Sequence, residues 1–169
     1  FSSSVMEGTL TGPVPGLRKL TFNLSGRFSE REGYLYGIRQ HSPGDSANFA
    51  GDDWYVESTG DSSFVAMNPN ESFNSVAKLT YRLTNSLKVS AQLLYDRGRW
   101  QSYSHAYRFN PDGRYHLQDD NYNYSFKLTH AFTKAFYEAH VFYSTTDFQQ
   151  FAFADPKDPG YVPTTRQVG

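Results

Sequence analysis

Apolar and polar residues alternate along several stretches of the chain. From Leu20 to Phe28 the even positions are Leu, Phe, Leu, Gly and Phe, and the odd positions are polar. This period of two predicts a strand with one apolar face. The pattern returns over Ala77–Leu83, Leu87–Leu93 and Tyr122–Thr129. Residues 135–145 alternate less cleanly, because Phe136 and Phe142 share a face with Glu138 and His140. No period of 3.6 residues is sustained, so helices are not predicted. Six strands follow, at about 3–11, 18–38, 72–84, 86–108, 117–132 and 135–149.

The connections alternate in length. Gly12-Pro13-Val14-Pro15-Gly16, Thr84-Asn85-Ser86 and Thr133-Lys134 are short and rich in turn formers. Residues 39–71 and 149–169 are long and polar, and 39–71 holds a further candidate hairpin, Trp54-Tyr55-Val56 with Phe64-Val65-Ala66. Asn110-Pro111-Asp112-Gly113 reads as the turn of a long hairpin whose arms run past the main sheet. Short turns at one end and long loops at the other are the asymmetry of an outer-membrane barrel.

Composition sharpens that expectation. Aromatic residues make up 17% of the chain, with 13 Tyr and 14 Phe. Yet the mean hydropathy is only −0.64. Many rings with low average hydropathy suit strands that show only every second residue to lipid and carry Tyr and Trp at the interfaces. No apolar run approaches the roughly 20 residues of a membrane helix. A net charge of −1 gives no basic surface for nucleic acid. The absence of cysteine excludes disulfides, thiolate metal sites and a Cys nucleophile.

The fold class expected is therefore all-β, an antiparallel up-and-down transmembrane β-barrel segment of about six strands forming a single domain over 1–169. Six strands are too few to close a common barrel, and membrane strands leave no open edge in lipid. A set of motifs in fixed order bears on this. Glu7–Pro15 leads into Leu20–Arg27 and then Gly33-Tyr34-Leu35-Tyr36-Gly37-Ile38-Arg39. Tyr103–Gly113, Leu128–Thr133, Phe136-Tyr137-Glu138 and Asp155–Val162 follow. Together they resemble the first barrel strands of TonB-dependent outer-membrane receptors, in the branch with a carboxypeptidase-regulatory-like domain before the plug.

The resemblance implies a barrel of about 22 strands closed around a plug, of which this chain is an N-terminal part. It implies nutrient uptake (siderophore, glycan or peptide) across the outer membrane of a Gram-negative bacterium. Its partners would be the rest of its own barrel and plug, TonB through a plug segment not seen here, membrane lipid, and as a further candidate an outer-membrane lipoprotein. No enzyme activity and no cofactor are expected. Two rivals are a complete small barrel of eight strands (anchor, adhesin or lipid enzyme) and a soluble carbohydrate-binding β-sandwich.

The alternation divides the candidate residues between faces. If Leu20, Phe22, Leu24, Leu79, Tyr81, Leu83, Val89, Ala91, Leu93, Tyr124, Phe126 and Leu128 face lipid, the other face carries Lys19, Arg27, Lys78, Arg82, Lys88 and Lys127, with Asp96 and Glu138 opposing. Arg27, Arg82, Lys88 and Lys127 are candidates for holding an anionic substrate. The plainer reading pairs them with plug residues or water. Trp54, Tyr55, Trp100, Tyr103 and Tyr107 are candidates for stacking on a ligand, against the plainer role of packing loops or marking an interface. The five histidines form no metal-binding spacing, though His105 and His116 are placed to meet across the 110–113 turn. Asp119-Asp120 and Asp52-Asp53 are weak calcium candidates.

Overall fold

A computed structural model describes residues 2–158. The chain is all-β, and its long strands form one antiparallel sheet. They are β1 (Ser3–Val14), β2 (Leu17–Arg31), β7 (Asn70–Arg82), β8 (Leu87–Trp100), β9 (His116–Ala131) and β10 (Phe136–Phe151). Their order in space is their order in sequence, β1-β2-β7-β8-β9-β10. Four short strands lie within the β2–β7 connection: β3 (Tyr36–Ile38), β4 (Ala47–Asn48), β5 (Tyr55–Val56) and β6 (Phe64–Ala66).

Three turns at one end are short, closing β1–β2, β7–β8 and β9–β10. At Pro15-Gly16 proline fixes one dihedral, and Gly16 takes a φ of +80°, which a residue with a Cβ resists. At the other end the connections span residues 32–69 and 101–115.

The register lines the residues up in rows that run across the sheet. One row is Leu20, Tyr81, Val89, Leu128 and Ala139. The next is Gly12, Phe22, Leu79, Ala91, Phe126 and Val141, followed by Leu10, Leu24, Ala77, Leu93, Tyr124 and Tyr143. No charged residue enters these rows. The opposite face holds Thr, Ser, Asn, Gln and charged residues, because a strand points successive side chains to opposite sides. Apolar exceptions there are Val76 and Leu94, opposite each other, Phe142, and toward the loops Val5, Trp100, Leu117 and Phe148.

The apolar face is uncovered. Among the described residues only Met67 is a buried hydrophobic, and it belongs to a loop. The chain exposes 12228 Å², against about 8,500 Å² for a compact monomer of 19.3 kDa. The sheet is open: β1 and β10 lie at its two edges and do not pair.

The structure corrects several expected boundaries. The second strand stops at Arg31, and residues 36–38 pair with β6 instead. The 54–56 and 64–66 segments are strands, but not partners. β5 pairs with β4, and β6 with β3. The expected strand over 86–108 also ends early, at Trp100. Residues 105–107 and 111–113 form 3-10 turns that fold against β3 rather than extending the sheet. Of the expected loop 149–169 and the motif 155–162, the part past Asp158 lies outside the described residues.

Candidate functional site

The nine candidate residues do not converge. Arg82, Lys88 and Lys127 gather on the polar face near the short turns, with Lys19 and Lys78 beside them. Arg82 lies directly opposite Lys88, and Lys127 opposite Ser90. Lys127 Nζ is 2.9 Å from Glu138 Oε1. Lys19 Nζ donates to Leu83 O at 3.1 Å. Arg27 sits higher on that face, opposite Glu7 and Asn74.

Above the cations the polar face becomes a ladder of amides, hydroxyls and carboxylates. Asn74 donates to Asp96 across the β7–β8 pair. Asn121 Nδ2 donates to Asp119 at 2.9 Å, and Thr146 Oγ1 donates to Asn121 Oδ1 at 2.7 Å. Ser144 Oγ donates to Asn123 Oδ1 at 2.8 Å. These bonds satisfy polar groups along and between the strands of this face.

On the apolar face, ring contacts occur at the two ends of the apolar rows. Near the short turns His130, Phe132 and Tyr137 touch, with centroids 4.1–5.8 Å apart. Toward the loops Phe73 meets Tyr95 at 6.1 Å, Tyr95 meets Tyr122 at 4.8 Å, and Tyr124 meets Tyr143 at 6.1 Å. One row further on the same face turns ionic. Arg97 Nε lies 2.7 Å from Asp120 Oδ1, and Tyr95 Oη donates to that same oxygen at 2.6 Å.

The loops form a small packed body of their own. Ile38 N donates to Arg108 O at 2.7 Å, and Gln40 N and His41 N both donate to Phe109 O. Arg39 bridges Asp112 (Nε to Oδ2, 2.5 Å) and Asp61 (Nη1 to Oδ2, 3.2 Å). A Cβ on Gly37 would lie 2.6 Å from both Arg108 O and Met67 Sδ, so only glycine lets the two loops approach this closely. Met67 and Pro111 are fully buried there. The hydroxyl of Thr59, followed by its backbone N–H, holds the Asp45 carboxyl below the usual range. Ser63 does the same for Asp61, with Arg39 adding to it.

Arg39, Asp61 and Asp112 escaped sequence reasoning, because Arg39 and Asp112 lie 73 positions apart. The one available signal was the pair of glycine-bearing segments, Gly37-Ile38-Arg39 and Asp112-Gly113.

The loop aromatics separate. Trp54 and Tyr55 are 68% and 46% exposed on the β4–β5 hairpin. Tyr103 Oη is 3.0 Å from His105 Nδ1, and Tyr107 lies under Arg114. Trp100 lines a cleft of about 690 Å³ with Glu30, Glu71, Arg99, His116 and Phe151.

Two metal suggestions are corrected. His105 packs by Tyr103 and Arg108 while His116 packs on Phe151, so the two do not meet. Asp119 and Asp120 are successive strand residues on opposite faces, bonded to Asn121 and Arg97 respectively. Among the described residues no three His, Asp or Glu side chains come together to hold a metal.

Comparison with family models, with curated proteins and with solved structures finds no match to this chain.

Proposed function

We propose that this chain is a length of wall of a transmembrane β-barrel in the outer membrane of a Gram-negative bacterium. The observation that carries the reading is the uncovered apolar face, uncharged across its central rows and bounded by touching aromatic rings at both ends. In water such a face would be an aggregation site. In a bilayer it is the surface that meets acyl chains, with ring girdles at the two interfaces. The distance fits. Eight residues separate Leu87 from Tyr95, about 27 Å of strand and about 21 Å of depth at a tilt near 40°, against an apolar band of about 25 Å.

The rivals are less well supported. A complete small barrel needs β1 paired with β10, and these are the free edges of the sheet. A sandwich needs a second sheet over the apolar face. Outside the main sheet, the described strands are two or three residues long and sit in a loop. Open edges carry unpaired backbone groups that lipid does not tolerate, so further strands would continue the wall on each side.

The finer reading, a TonB-dependent receptor importing a scarce nutrient, rests on the motif resemblance. In it the chain supplies wall, lumen lining and extracellular loops, while plug and TonB supply gating and energy. The test is the denatured mass of the polypeptide in a purified outer-membrane fraction. A band several times 19.3 kDa is expected. A band near 19.3 kDa would favour the small barrel, and absence from the membrane fraction would favour the sandwich.

A further inference from the structure

The polar face carries its charges unevenly. Lys19, Lys78, Arg82, Lys88 and Lys127 all lie in the rows nearest the short turns, where Glu138 is the one carboxylate among the described residues of that face. Toward the loops the same face carries Glu7, Asp96 and Asp119 against Arg27 and Arg31.

The cations are also abreast. Arg82 and Lys88 are direct cross-strand partners. The bond from Lys19 Nζ to Leu83 O sets Lys19 beside Arg82 on the next strand. Neighbouring strands lie about 4.8 Å apart, so the three charges span about 10 Å. Like charges facing each other across a ladder weaken it. A threonine or glutamine at any of the three positions would remove that repulsion.

Glu138, two strands from Lys88 in the same row, relieves it only in part. That carboxylate is taken up by Lys127 and by Thr129 Oγ1 at 3.1 Å. Lys78, Arg82 and Lys88 have no carboxylate within ion-pair distance among the described residues.

We infer that the Lys19–Arg82–Lys88 row binds an anionic solute with two or more carboxylate or phosphate groups spaced across it, with Lys78 and Lys127 flanking. This deepens the barrel reading and rests on it for the row's place, at the short-turn end of a lumen wall. The mixed charges toward the loops hold an anion weakly, and the cationic row holds it more strongly. Charge therefore gives the face a direction for anions, from loops to short turns.

The test is calorimetric titration of citrate, and separately of pyrophosphate, into the intact detergent-solubilised protein at low salt. The variants are the double change Arg82→Gln with Lys88→Gln, and Arg18→Gln as the control, since alternation puts Arg18 on the opposite face beside Lys19. Saturable binding of at least one probe is expected, weakened tenfold or more by the double variant and less than twofold by Arg18→Gln. Whether citrate or pyrophosphate binds tells carboxylate from phosphate recognition. The double variant removes a repulsive pair, so its urea midpoint without anion should hold or rise, which separates lost binding from lost fold. No saturable binding of either probe overturns the inference, and so does equal weakening by Arg18→Gln. Binding of poly-glutamate that neither probe displaces would also overturn it, in favour of an acidic polypeptide. If the protein stays in solution without detergent yet still binds a probe, the anion row stands and the barrel reading falls.

Discussion

Ala91 offers the sharpest test of where the apolar face resides. It lies in the central row, flanked by Leu79 on β7 and Phe126 on β9. Four residues separate it from Leu87 at one end of the apolar band and four from Tyr95 at the other. That puts it about 10 Å below each interface for tilted strands. Arginine on the lipid face of a barrel costs about 2–4 kcal/mol at the midplane and about 0–1 near an interface. Ala91→Arg should therefore lower the folding equilibrium by about 30- to 700-fold at 1.4 kcal/mol per decade. Gln92→Arg, one residue on but facing the other way, meets Lys78 across the ladder and should cost no more than about 1 kcal/mol. Ser75→Arg, in the row of Tyr95, should fall between. The assay is urea titration of the intact protein refolded into lipid vesicles, followed by tryptophan fluorescence. Equal midpoints for Ala91→Arg and Gln92→Arg would refute the assignment of faces to lipid and water.

The loop body gives further tests. Gly37→Ala forces a methyl against Arg108 O and Met67 Sδ, and overpacking of this kind costs about 1–3 kcal/mol. Limited proteolysis should then cut within 101–115 much faster, with the sheet intact. Met67→Ala empties the one buried apolar site among the described residues, a change of about 2–5 kcal/mol in a packed core. It should expose the same segment, and unchanged cleavage would show that the loops do not depend on this contact. The depressed Asp45 and Asp61 carboxyls add stability that is full above their unfolded value, near 3.8, and is lost as pH falls through their lower folded values. Backbone amide exchange at Ile38 and Gln40 should therefore quicken below about pH 4. Rates flat from pH 5 to pH 2, after correction for intrinsic exchange, would contradict this. Arg39→Gln should speed exchange at the same amides at neutral pH, since it unties Asp61 and Asp112 at once.

The sheet was legible because its information is local. A period of two needs only neighbours, and Leu20–Phe28 or Leu87–Leu93 state their faces without help from the rest of the chain. The shared face of Lys19, Arg82 and Lys88 was legible for the same reason, but their alignment in one row was not, because Lys19 and Leu83 lie 64 positions apart. The partner of each strand in the large loop was not. Tyr55-Val56 and Phe64-Val65-Ala66 look like two arms of one hairpin, yet residues 36–38 and 47–48 compete for them and win. Period and turn signals also carried the second strand past Arg31 and the fourth past Trp100. In both cases contacts between the two loops, Ile38 N with Arg108 O and His41 N with Phe109 O, hold the chain outside the ladder. Such contacts join residues about 70 positions apart, and nothing in a local window reports them.

The spacing of the connections also sets an order of assembly. The turns after β1, β7 and β9 span two to four residues, whereas the connections after β2 and β8 span 38 and 15. Closing a loop of 38 rather than 4 residues costs about 2 kcal/mol more in chain entropy, and one of 15 about 1 kcal/mol more. The pairs β1–β2, β7–β8 and β9–β10 are therefore the early units. The ladders β2–β7 and β8–β9 are late seams between them. The long connections that span these two seams are the ones that meet at Arg39, Gly37 and Asp112. That clasp can close only when both seams have zipped in register, so it seals correctly aligned hairpins and leaves misaligned ones open to be pulled apart and paired again.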